Sequence, residues 1–156
     1  MKLETIQRSF TSKIDGYNQL SYWDRLKGLN LMSLQRRRER YTILHIYKIL
    51  QNTAPNDVNI SFNTSQRRGI LAVIPPMSRK ATPRLQSLYD SSFAVFGPRL
   101  WNSLPKMIRQ EESFDKFKAA ITRHMLNTPD EPPISGAASS NSLLHWTGLL
   151  GRQQMS

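Results

Sequence analysis

Four arginines stand within five positions: Arg36, Arg37, Arg38 and Arg40. A guanidinium presents a planar fork of donors that matches two phosphate oxygens at once, so such a cluster suits a polyanion. On a helix the four point in several directions and make no single stripe. Some can pair with Glu39 or lay their stems over apolar surface, leaving others to meet phosphate. The plainer reading is a solvated helix face. A second basic stretch follows. No acidic residue occurs between Asp57 and Asp90, where Arg67, Arg68, Arg79, Lys80 and Arg84 lie. The nucleic-acid-binding candidates are therefore Arg36, Arg37, Arg38, Arg40, Arg67, Arg68, Arg79 and Lys80. Tyr22, Trp23, Tyr41 and Trp101 accompany the basic segments, either to stack on bases or to fill a core.

Residues for catalysis are not arranged in this way. Phosphoryl transfer by two metal ions needs carboxylates held together. The adjacent acids are Glu111–Glu112 and Asp130–Glu131, and no Asp-Asp pair occurs. The first pair precedes a helix start, where negative charge is favourable in any case. The second falls in a Pro-rich stretch. His45, His124 and His145 lack ligand spacing such as His-x3-His. No Gly-x-Ser-x-Gly or Gly-rich phosphate loop is present. With no cysteine, disulfides and thiolate metal sites are excluded. The expectation is a chain that is not an enzyme and carries no cofactor or metal.

The 156 residues suffice for one domain with a modest core. Hydrophobic content of 38% and a mean hydropathy of −0.50 leave part of the chain outside that core. The net charge of +11, from 22 Lys+Arg against 11 Asp+Glu, favours a polyanion by counterion release, or an anionic membrane surface. Solubility alone is the bland alternative. No apolar run has the length of a membrane span, and MKLETIQRSF is not a secretory signal. The expected partners are the RNA or DNA backbone and no membrane. The expected location is intracellular, with nucleus or cytoplasm and the oligomeric state left open.

The elements that must carry these residues read as mainly α. Leu3, Ile6, Phe10 and Ile14 repeat at helical spacing, with Gly16 as a stop. Ser21, with Asp24 three residues on, caps a short helix bearing Tyr22, Trp23, Leu26 and Leu29 and ending at Asn30. Ser33 caps a third, roughly Leu34 to Gln51, which turns apolar nearly all round after Tyr41 and must be packed on several sides. The middle reads as irregular. GILAVI at 69–74 is a short strand or buried extended segment, and Ser91–Phe96 is another before a Gly97–Pro98 turn. LWNSL at 100–104 allows at most one helical turn. Ser113 caps a last helix with Phe114, Phe117, Ile121 and Met125 on one face. The expected domain is a helical 1–127, followed by a Pro/Ser-rich tail, 128–156, expected to be disordered. Leu143, Leu144, Trp146, Leu149 and Leu150 form an apolar patch within that tail, too short to fold alone, which could pack onto the domain or dock a partner and is otherwise loosely held.

Several segments, in order, resemble the region downstream of the polymerase in non-LTR (LINE-like) retrotransposon reverse transcriptases. They are Gln7-Arg8-Ser9-Phe10, then Ser21-Tyr22 with Arg25-Leu26, then Leu31, Ser33-Leu34 and Arg37-Arg38. ILHIYKIL at 43–50, FGPRLWNSLP at 96–105 and the SFDKFKAAI helix resemble the parts that follow. The match covers roughly residues 3–146. No single motif is specific; the ordered set is. The resemblance implies a thumb-like and post-polymerase helical fragment whose helices would hold a template–primer duplex. Fingers, palm, catalytic acids and endonuclease are absent from the match, so it implies ancestry and not activity. A Met start just before the thumb-like helix suggests a truncated element copy. Two further readings stand beside this one: a free-standing nucleic-acid-binding module, and an interaction protein whose Leu/Trp patch docks a partner.

Overall fold

The computed structural model describes residues 2–77, 80, 82–130 and 142–144. Among them the fold is mainly α. The order is α1 (Lys2–Ser12), α2 (Tyr22–Gly28), α3 (Leu34–Leu50), β1 (Phe62–Ser65), β2 (Gly69–Ala72), α4 (Pro83–Ser91), α5 (Phe93–Ser103), α6 (Lys106–Arg109) and α7 (Phe114–Leu126). Two compact units share these elements. One holds the residues up to Arg40 with those from Ile121 on; the other is Tyr41–Ala120. The single domain expected to end at Asn127 is thus drawn differently. Thr128, Asp130 and Leu143, given to a tail by their polar neighbours, are buried in the first unit. Arg79, Trp146, Leu149, Leu150 and most of the expected tail lie outside the described residues.

In the first unit the caps follow the sequence. Ser21 Oγ accepts from the Asp24 amide, and its hydroxyl donates to the Asp24 carboxylate. Ser33 Oγ accepts from the Arg36 amide at the head of α3. Tyr22 and Leu26 of α2, Ile121 and Met125 of α7, and Leu143 form the apolar core. Helix α1 is attached by its polar side. Glu4 accepts from the Tyr22 hydroxyl and the Leu34 amide, Gln7 donates to the Tyr22 hydroxyl and Met32 carbonyl, and Arg25 donates to Thr11 Oγ1. Burial and the Glu4 carboxylate both raise the pKa of Tyr22. Leu3, Ile6 and Phe10 are left 58–68% exposed. Helical spacing identified α1, but it did not say which face would be covered.

In the second unit α3 delivers Ile43, Leu44, Ile46, Tyr47 and Ile49 to a core completed by Val95, Leu100, Trp101 and Phe117. The Tyr47 and Phe117 rings stack with centroids 4.2 Å apart, and the Tyr47 hydroxyl donates to the Glu112 carbonyl. The extended segment and turn expected over 91–98 are instead the end of α4, the Ser92 cap and the first half of helix α5, with Pro98 inside it. A proline here removes one helical hydrogen bond and costs about 3 kcal/mol. Burial of Val95, Leu100 and Trp101 outweighs that, at roughly 1.5–3 kcal/mol for each large apolar side chain. Gly97 gives the packing its closeness, because a Cβ there would lie 3.1 Å from Ile46 Cδ1. Helix α4 was also not anticipated, although Thr82 caps it and Pro83 opens it, a combination suited to a helix start.

Strands β1 and β2 form an antiparallel hairpin with Ser65 opposite Gly69, so Gln66, Arg67 and Arg68 make a three-residue connection. Gly69 closes it in the left-handed region at φ 73°. Only the β2 half was visible in the sequence.

Candidate nucleic-acid interface

The arginine cluster of α3 divides by helix geometry. Positions 36 and 40 share one face, and 37 and 38 turn away from it. Arg36 is fully buried: Nη2 donates to the Pro129 carbonyl at 2.9 Å, and Nε lies 3.5 Å from Glu39 Oε2. Arg40 is half-buried and its Nε donates to Thr122 Oγ1 at 3.1 Å. Arg37 is half-buried and Arg38 is exposed. The outward charge of the cluster is therefore carried by Arg37 and Arg38, with part of Arg40. Arg36, the expected phosphate ligand nearest the helix start, is in the core.

The head of α3 is closed to anions in a second way. The Ser33 amide donates to Asp130 at 2.6 Å, the Leu34 amide to Glu4 at 2.8 Å, and the Arg36 amide to Ser33 Oγ. Protein oxygens occupy the positions that a phosphate would take at a helix N-terminus. Burial lowers the pKa of Arg36, opposed by the charges of Asp130 and Glu39. Burial raises that of Glu39, against hydrogen bonds from Ser142 and Leu143 and the charge of Arg36. His124 is lowered by burial and by Arg36.

The second unit presents cations more openly. Arg67 and Arg68 are exposed in the hairpin connection, and Lys106 Nζ donates to the Gln66 carbonyl at 3.2 Å. Three cations thus lie around one turn. The far edge of the hairpin is held by side chains. Asn102 Oδ1 accepts from the Ala72 amide at 2.8 Å, while its Nδ2 donates to the Ala72 carbonyl at 3.0 Å. Trp101 Nε1 and Arg109 Nη1 both donate to the Ile70 carbonyl. These contacts satisfy backbone groups that an unpaired edge would offer to another strand. Arg109 is buried, its Nε donating to the Leu104 carbonyl, so its charge serves the hairpin. Lys80 and Arg84 are exposed nearby in sequence. Arg99 pairs with Asp90 at 3.0 Å. Bonds from Gln86 and then Arg99 hold the Asp90 carboxyl below the usual carboxylate range.

The aromatic candidates separate as well. Tyr22 and Trp101 are core residues, Trp23 is half-buried under the Lys27 amine at 4.2 Å, and Tyr41 is 67% exposed. Of the acidic pairs, Glu111 accepts from the Ser113 amide and Asp130 from Ser33. Among the described residues no group of three or more His, Cys, Asp or Glu could hold a metal ion. No described helix is long and apolar enough to cross a membrane.

Compared with protein-family models, curated proteins and solved structures, the chain matches none. Four contributors escaped the sequence reading. Asn102 and Arg109 carry no signal for the hairpin they hold. Asp130 and Leu143 were visible as part of an acidic pair and of an apolar patch, but in a stretch read as a tail, so their burial was not anticipated.

Proposed function

We propose that this chain binds the nucleic-acid backbone without catalysing a reaction, and descends from the post-polymerase region of a LINE-like reverse transcriptase. The observation that carries the binding reading is the hairpin turn. Arg67 and Arg68 stand exposed on a connection whose following strand, β2, is clamped by Trp101, Asn102 and Arg109. A clamped turn presents two guanidinium groups at little further entropic cost, which suits phosphate contacts. Such contacts position a duplex without reading its bases. The net charge of +11 supplies long-range attraction. Ancestry rests on the ordered segments alone. Trp101 and Asn102 lie within one of them, so that segment has a structural task in this chain whatever its history.

Arg67→Gln with Arg68→Gln tests the reading. The double variant should weaken binding to RNA and DNA duplexes alike. It should flatten the salt dependence by up to about 2 units if each arginine meets one phosphate. An unchanged slope in a folded double variant would remove the hairpin from the interface. A protein-interaction module is the second reading, and the exposed Leu3, Ile6 and Phe10 of α1 favour it.

A further inference from the structure

Arg36 and the segment Ser142–Leu144 share a carboxylate. Glu39 Oε2 lies 3.5 Å from Arg36 Nε and accepts from the Leu143 amide at 2.9 Å. The Leu143 side chain is fully buried and Ser142 nearly so. We propose that Ser142–Leu144 is a strap that withholds Arg36 from polyanion, so that opening the strap adds one cationic contact to the α3 surface. This rests on the nucleic-acid reading above and names a regulation of it.

The cluster's chemistry makes the closed state conditional. Arg36, Glu39 and Asp130 bring one positive and two negative groups into a site with almost no solvent access. Burying such groups opposes their Coulomb attraction, so an ion cluster of this kind is poised and not simply stabilising. Removing the strap takes the Leu143 N–H from Glu39 and opens the space filled by the Leu143 side chain. Water then reaches the carboxylate, and its share of the hold on the guanidinium weakens, against the bond to the Pro129 carbonyl and the charge of Asp130, which remain. Arg36 sits one helical turn before Arg40, on the same face of α3. A released Arg36 would therefore extend Arg40 into a two-residue row. A phosphate and Glu39 compete for the same guanidinium, so a phosphate contact at Arg36 and the closed strap exclude one another, while the other arginines bind with the strap closed.

Reciprocity supplies a test on the unaltered chain. If opening strengthens binding, binding must favour opening. Amide exchange is measured by nuclear magnetic resonance with and without a saturating 20-base-pair RNA duplex. The Leu143 amide should exchange faster in the complex, while the Ile46 and Phe117 amides do not. Equal or slower exchange at Leu143 overturns the strap. A second arm uses Leu143→Asp, with circular dichroism to show an unchanged helix content. Despite its added negative charge, this variant should steepen the salt slope of binding by about 1 unit. Adding Arg36→Gln should restore the parent slope, and Arg36→Gln alone should leave it unaltered. A slope unmoved by Leu143→Asp, or a steepening that survives Arg36→Gln, refutes the proposal. Absence of duplex binding by the unaltered chain would refute the function reading and the strap with it. Binding without strap opening refutes the strap alone.

Discussion

Replacing Asn102 with alanine isolates the clamp on which the hairpin depends. Its amide makes two bonds to one residue, accepting from the Ala72 amide and donating to the Ala72 carbonyl, and Ala72 is only 4% exposed. Each neutral bond contributes about 0.5–1.5 kcal/mol net. A buried amide left without an acceptor costs about 1–3 kcal/mol. The carbonyl suffers less, because a water entering the vacated space can still donate to it. The loss should therefore be about 2–3 kcal/mol. With a urea m-value of about 1–3 kcal/mol/M for a chain of this size, the unfolding midpoint should fall by roughly 0.7–3 M. Far-UV circular dichroism in a urea series reads the shift. Asn102→Asp separates the two bonds, since an ionised carboxylate keeps an acceptor for the amide and faces the carbonyl with no donor. It should be at least as damaging at neutral pH, and should recover partly in acid, where the protonated group donates. An Asn102→Ala midpoint equal to that of the parent would show that the side-chain clamp does not hold the hairpin.

Glu39→Ala leaves the buried Arg36 beside Asp130 without one of its two carboxylates and should cost about 3–5 kcal/mol. Replacing both, as Arg36→Met with Glu39→Leu, should cost much less, and thermal denaturation of the pair of variants decides between a paired charge and a filled volume. Because burial and Arg36 depress the His124 pKa, the fold favours its neutral form. The stability from that preference is fully present above the unfolded value of about 6.5 and is lost as pH falls through the folded value. Glu39, raised by burial, acts in the opposite sense: its contribution is complete below the unfolded carboxylate value and is lost as pH rises through the folded one. Urea midpoints between pH 7.5 and 5 should therefore fall less in His124→Gln than in the parent, and parallel curves would contradict the His124 assignment.

The helical parts of this fold could be read because their information is local. Ser21 with Asp24, and Ser33 before Leu34, announce helix starts within one turn of themselves. The spacing of Phe117, Ile121 and Met125 names the buried face of α7 directly. Helix α5 could not be read in this way. Pro98 argues against a helix locally, and only the burial of Leu100 and Trp101 reverses that. The arginine cluster shows a similar limit. Its residue types were visible, but Arg36 is decided by Pro129 and by the Asp130 carboxylate that bonds the Ser33 amide from 97 positions along the chain. Arg67 and Arg68 were visible as basic residues. Their place at the tip of a hairpin depends on β1, whose FNTS sequence has little strand character, and on Asn102 from a segment read as no more than a turn of helix.

The salt dependence of duplex binding by the unaltered chain bears most directly on the central claim. Fluorescence anisotropy with RNA and DNA duplexes of two unrelated sequences, between 50 and 200 mM salt, gives log Kd against log salt for each. Contacts from Arg67 and Arg68 alone require a slope near 2 in magnitude, at about 0.9 per phosphate on DNA, and Arg37 and Arg38 would steepen it. The expected result is a slope of about 2–4, with affinities that agree between the two sequences. No binding at 50 mM salt, or an affinity indifferent to salt, would contradict the claim that this protein holds nucleic-acid backbone.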